Sequence, residues 1–140
     1  MSIKQYILIW ILLALITAVC IGGINLPRLY PLARHNVQRT AKVTAVLPND
    51  HDTIQYQFTE NGIVFKGQYQ TWPPNPDAAN LHVWETIVVY FYPDSPSNSI
   101  PGDPKLALQN EIISAIIAAI MTPLLLLIGV WRFEKKYSST

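Results

Sequence analysis

The sequence predicts a membrane-anchored all-β protein, with two transmembrane helices flanking a small antiparallel β-barrel or sandwich of four to five strands. Three observations carry this. Two long runs, one towards each end of the 140-residue chain, contain no charged side chain. Between them, apolar and polar residues alternate with the period of two that a half-buried strand requires. Proline, asparagine and glycine punctuate that segment at intervals suited to turns.

The first run occupies residues 5–27, and its interior is mostly Ile, Leu, Val and Ala. At about 1.5 Å per residue it is long enough to cross a hydrocarbon core of about 30 Å. It exceeds the apolar region of a cleaved signal peptide, and Val19, Cys20 and Ile21 offer no small-x-small cleavage site. Thr17, Ala18 and Val19 before Cys20 also match a lipoprotein signal poorly. The second run, residues 112–131, is bounded by Glu111 and Arg132 and contains Pro123, where a kink is expected. Small residues four apart, Ala14, Ala18 and Gly22 on the first helix and Ser114, Ala118 and Thr122 on the second, are the candidate helix-helix packing positions. Tyr6, Trp10, Trp131 and Tyr137 fall where antiparallel spans place an aromatic belt.

Two spans put both tails, residues 1–4 and 132–140, on one side. Lys4, Arg132, Lys135 and Lys136 in those tails favour the cytoplasm, leaving the central domain outside. The expected location is a bacterial inner (plasma) membrane, crossed twice, with the lipid bilayer as the first partner. Residues 28–38 and 105–111 read as linkers. Pro27 and Pro31 either end the first helix and stiffen its exit, or let it continue as a short amphipathic helix on the membrane surface through Leu29, Leu32 and Ala33, with Arg28 and Arg34 meeting phosphates.

The β-domain is expected over residues 39–104. Residues 40–47 are rich in β-branched side chains, and Pro48-Asn49-Asp50-His51-Asp52 turns the chain. Ile54, Tyr56 and Phe58 then alternate with glutamines, Glu60-Asn61-Gly62 signals a hairpin, and Ile63, Phe65, Gly67 and Tyr69 alternate in the returning strand. Prolines 73, 74 and 76 make residues 72–81 a loop. The nearly unbroken apolar run over residues 86–92 suits a central strand buried on both faces, or one closing a small barrel. Residues 93–99 read as a turn, with Ile100 opening a short edge strand.

The order of a membrane helix, Thr40-Ala41-Lys42-Val43-Thr44-Ala45-Val46, a Tyr-x-Phe strand with a turn, and Val83-Trp84-Glu85-Thr86 running into Tyr92-Pro93-Asp94-Ser95-Pro96 resembles the DUF3592 family of membrane proteins. The likeness covers most of the chain. Lys42 stands near the family's usual glycine, and Trp84 and Glu85 replace the Gly-Asp of its Val-Gly-Asp turn. The resemblance implies a membrane-anchored β-domain. Because the family has no established activity, it supplies no catalytic residues.

Charge and composition exclude some function classes. Over residues 28–105, six basic and seven acidic side chains leave a net charge of −1, which lacks the basic field of a nucleic-acid binder. Cys20, the single cysteine, lies in the first span. The best candidate for chemistry is Asn49-Asp50-His51-Asp52, with His35 and His82 elsewhere. Neighbouring residues in an extended chain point to opposite sides, and a catalytic zinc needs three converging ligands, so a polar turn is the simpler reading. No catalytic residue, metal or cofactor is assigned, and the chain is expected not to be an enzyme. Tyr69, Trp72, Pro73 and Pro74 form the candidate partner-binding surface, since aromatic rings beside prolines lose little entropy on binding. The alternative for Trp72 is a lid over the core, and Trp84 is expected in the core more firmly still. The function expected first is a non-catalytic protein-interaction or assembly module of the cell envelope, binding a protein partner or its own copies. A narrower form is an accessory or immunity protein. The second expectation is a ligand or lipid sensor with a small β-barrel at the membrane surface.

Overall fold

The computed structural model of the chain describes residues 3–71 and 73–137. Two long apolar helices flank, in sequence, a five-stranded antiparallel sheet curled into a nearly closed barrel. The chain forms two compact units, Met1–Leu26 with Asn110–Thr140, and Pro27–Gln109.

Helix α1 spans Ile3–Arg34 and α2 spans Pro104–Tyr137, and each is long and apolar enough to cross a membrane. The shielded positions of α1 form one stripe that includes Ala14, Ala18 and Gly22. On α2 the stripe runs through Ala115, Ala118, Ala119, Pro123 and Leu127. Ser114 and Thr122, expected at the packing face, are exposed, so the α2 face lies one residue round from the expected one. Asn25 Nδ2 donates to Glu111 Oε1 at 3.0 Å, giving each helix a polar contact at one end of the unit.

Both expected linkers are largely helical. α1 keeps its backbone past Pro27 and Pro31. A proline inside a helix costs one hydrogen bond, but Leu32 and Ala33 of that last stretch are fully packed in the second unit. His35 N–H donates to the Pro31 carbonyl at 2.8 Å and Asn36 Nδ2 to the Leu32 carbonyl at 3.0 Å, so two of the last carbonyls of the helix are satisfied. The segment stays helical, as the second reading expects, but Leu32 and Ala33 are buried in protein rather than laid on a membrane surface. At the other junction Asp103 caps α2. Its carboxylate accepts from Lys105 N–H at 2.8 Å and its carbonyl from Ala107 N–H at 2.9 Å. Pro104 takes the first helical position, where no N–H is needed.

The strands are β1 (Val37–Leu47), β2 (Thr53–Glu60), β3 (Ile63–Gln70), β4 (Thr86–Tyr92) and β5 (Ser95–Ile100), in the order β3-β2-β1-β4-β5. β1 organises the sheet. Its first half, from Val37 to Lys42, pairs with β4, and its second half, from Lys42 to Leu47, pairs with β2. The hand-over coincides with a bulge between Val43 and Ala45, and a bulge bends and twists its strand. The sheet therefore curls about β1. Asn61 and Gly62, both at positive φ, make the two-residue β2-β3 turn that Glu60-Asn61-Gly62 predicts.

Two strand expectations need correction. β4 alternates buried and exposed, with Val88 outside between Ile87 and Val89, so it is a one-faced strand beside the edge rather than a doubly buried centre. β5 starts at Ser95 instead of Ile100. Its polar residues and Pro96 obscured it, yet an edge strand tolerates both because one side needs no ladder.

The inward residues form one core of Ala41, Val43, Ile54, Tyr56, Phe58, Tyr69, Ile87, Val89 and Phe91. Aromatic rings supply most of its bulk, with Phe58 5.3 Å from Phe91 and 5.7 Å from Phe65 between centroids. At the sheet ends β3 and β5 come close without sharing a ladder. Tyr56 closes the gap: its ring passes over Gly67 of β3, and its hydroxyl lies 2.9 Å from Ser99 Oγ of β5. A Cβ at Gly67 would overlap the Tyr56 ring, which is why a strand interior carries glycine here.

Tyr56→Phe leaves the buried Ser99 hydroxyl without this partner and is expected to cost about 1–2 kcal/mol of domain stability. Gly67→Ala pushes the ring off its seat and is expected to cost about 1–3 kcal/mol. In the double variant the losses should fall short of their sum, because both break one contact. Denaturant unfolding in detergent checks this, and full additivity would show that the two residues act separately.

Candidate functional site

A polar cleft of about 460 Å³ lies at the seam between β3 and β5. Lys66, Gly67 and Gln68 of β3 and Ser97 and Ser99 of β5 form its walls. Thr44, Gln55, Tyr56 and Arg28 complete it. Alternation along the edge strands explains the chemistry: the outward β3 residues at the cleft, Lys66 and Gln68, are polar, and four of the six residues of β5 carry a hydroxyl or an amide. Two cations and no carboxylate line the space.

Arg28 is positioned by neutral groups. Its Nε donates to Asn98 Oδ1 at 3.1 Å and its Nη2 to the Ser99 carbonyl at 3.1 Å, while Asn98 Nδ2 donates back to the Arg28 carbonyl at 2.9 Å. The helical backbone beyond Pro27 therefore delivers a guanidinium to β5. Burial raises the Tyr56 pKa above its ordinary value, partly offset by the Ser99 hydrogen bond and the Arg28 charge. Tyr56 is thus a neutral strut at the cleft floor.

The residues singled out from sequence are dispersed. Tyr69 belongs to the core at 7% exposure, with its hydroxyl lacking a partner among the described residues, so it is no partner-binding anchor. An aromatic at a strand's inward position packs before it can bind. Trp72 lies outside the described residues. Pro73 is exposed and Pro74 half-buried. The loop after them is fixed by Asn75 Nδ2 donating to the Gln70 carbonyl at 3.0 Å and by close approach of Pro74 to Gly102. Asn49, Asp50, His51 and Asp52 form an exposed turn, with His51 and Asp52 at positive φ. Among the described residues no three of His, Cys, Asp and Glu come together as a metal site.

Trp84 is not in the core. It is 68% exposed, at the third position of a turn in which Glu85 N–H donates to the His82 carbonyl at 3.0 Å and the Glu85 carboxylate accepts from His82 N–H at 2.8 Å. Its φ of 73° is the left-handed conformation that glycine adopts at that position in type II turns. Val43 fixes this geometry, accepting from Trp84 N–H at 2.8 Å and donating to the Glu85 carbonyl at 2.9 Å.

The cleft itself was missed in sequence because Arg28 fell in a linker and Ser97 and Ser99 in a turn. The available signal was Gly67, a glycine within an alternating strand, which marks close approach of another group. No family model, curated protein or solved structure matches the chain.

Two predictions follow from these side chains. Burial, with a smaller contribution from Tyr56, pushes the Tyr69 pKa up to about 12 from the ordinary 10.0. A raised folded-state value means its contribution is intact below pH 10 and is lost as pH climbs towards 12. Stability should hold to pH 10 and fall above it. Tyr69→Phe removes an unsatisfied hydroxyl, so it should match or exceed the parent by about 1 kcal/mol and flatten the alkaline loss, read by unfolding midpoints across pH. Trp84→Gly should be more stable than Trp84→Ala by about 1 kcal/mol, since both lose the ring and only glycine escapes the left-handed penalty. Equal midpoints for these two variants would mean that the turn relaxes at no cost.

Proposed function

We propose that the chain is a non-catalytic, membrane-anchored recognition module of the cell envelope whose β-domain binds a small polar ligand in the seam cleft. The observation that carries this reading is the cleft: an open polar cavity on an otherwise apolar-cored barrel, lined by donors with no acid to neutralise them. Its size falls within the range of small-molecule sites. The groups lining it favour binding over chemistry. No imidazole or carboxylate lines the cleft to move a proton, and Tyr56 is held neutral with its hydroxyl committed to Ser99.

The cleft thus favours the ligand-sensor expectation over the protein-interaction one. A protein-interaction or assembly role, with an accessory or immunity protein as its narrower form, is supported by Trp84, a large ring kept exposed at a position that costs backbone strain. The resemblance to the DUF3592 family rests on the sequence motifs alone, since no family model matches the chain, and it would put Trp84 at that family's glycine position. The orientation proposed is an external β-domain with both termini in the cytoplasm of a bacterial plasma membrane, on the basic residues of the tails.

Cysteines placed at two positions test occupancy and orientation together. In a Cys20→Ala background, Ser97→Cys should react with an impermeant maleimide in intact cells, and more slowly there than after purification and washing in detergent. The same slow rate should return when cell extract is added back. Equal rates in both states would mean an empty cleft and end the ligand reading. Labelling of Ser138→Cys alone would invert the topology.

A further inference from the structure

We infer that the ligand of the seam cleft is a phosphate ester, an oxyanion carried on a hydroxyl-bearing group. This rests on the ligand-binding reading above and names its chemistry. Arg28 and Lys66 give the cleft two positive charges, and no carboxylate lines it. Arg28 spends two of its five N–H groups on Asn98 and the Ser99 carbonyl, both neutral. Its fork is therefore oriented while its charge stays uncompensated. An oriented guanidinium recognises tetrahedral or planar oxyanions through paired N–H groups, and the cost of ordering it has already been met by the fold.

Lys66, exposed on edge strand β3, makes no ion pair among the described residues, whereas Arg39 pairs with Glu60 at 2.6 Å. Across the seam from it, Ser97 adds a hydroxyl and Gln68 beside it an amide. A phosphoryl group can accept from several donors at once, so two cations and a hydroxyl-rich wall suit it better than a single carboxylate. The volume of about 460 Å³ exceeds what a bare phosphate fills, and the remaining amide and hydroxyl surface matches a polyol. Arg28 directly follows the uncharged run over residues 5–27, which brings both membrane and solution sources within the same chemistry: a phospholipid headgroup or a free phosphate ester.

The test uses the full chain in a non-ionic detergent. Calorimetric titration with glycerol 3-phosphate, compared with glycerol, probes the soluble source. Native mass spectrometry after incubation with phosphatidylglycerol, compared with diacylglycerol, probes the headgroup. Binding of glycerol 3-phosphate but not glycerol, or retention of phosphatidylglycerol but not diacylglycerol, supports the inference and identifies the source. Lys66→Gln, at an exposed side chain that makes no ion pair among the described residues, should weaken that binding about tenfold, while Lys42→Gln, an exposed cation outside the cleft, should leave it unchanged. Arg28→Lys keeps the charge but loses the fork, and should also bind more weakly. Equal binding by the Lys66→Gln variant, equal binding of the phosphate-free analogues, or no binding of either phosphate probe overturns the inference. If both phosphate probes fail while Ser97→Cys stays protected in membranes, the cleft holds another ligand: the recognition reading stands and the phosphate ester falls.

Discussion

The hydrogen bond from Tyr56 to Ser99 joins the two edges of the sheet, and the rest of the β-domain is arranged around making it reachable. β3 and β5 share no ladder, so closure relies on one side chain long enough to cross the gap. Reaching Ser99 requires the ring to pass over β3, which in turn requires glycine at position 67. The requirement also sets polarity. A tyrosine buried in the core but ending at a hydroxyl on β5 makes the seam a place where the apolar interior meets a polar wall.

The curvature that brings the edges together originates on the opposite side of the barrel. β1 gives its first half to β4 and its second to β2, with the bulge after Val43 at the junction. Val43 holds a second element there, the turn carrying Trp84, by accepting from one residue and donating to the next. Bend and turn are therefore coupled through a single residue's backbone. That coupling accounts for a tryptophan tolerating a glycine conformation: two ladder-like hydrogen bonds over-determine the turn and outweigh its strain.

Much of the fold was legible in the sequence because its signals are local. Uncharged runs gave both long helices, alternation gave β2 and β3, and Asn61-Gly62 gave the turn between them. The errors arose where tertiary contacts overrule local preference. Pro27 and Pro31 argue against helix, yet buried Leu32 and Ala33 retain it. Ser95–Ile100 looks like a loop because an edge strand has no need of apolar alternation. The candidate site was legible only in fragments, since Arg28 and Ser99 are 71 residues apart and only the curl of the sheet brings them together. Tyr69 and Trp84 were each assigned to the wrong side of the surface for related reasons: ring size predicts burial only when strand register or turn geometry is known.

A barrel closed by one hydroxyl pair has a weakest line, and its position is fixed. Opening the seam would break the Tyr56–Ser99 contact, while the Arg28 bonds to β5 and every backbone ladder from β3 round to β5 stay intact. Such a rupture demands far less than unfolding, so the domain should breathe along this line and nowhere else in the sheet. Amide exchange would register it as early exchange on β5 and along the free edge of β3. A guest wedged between those edges then acts as a clasp, and its arrival can be felt as stiffness across the whole β-domain without any strand changing partners.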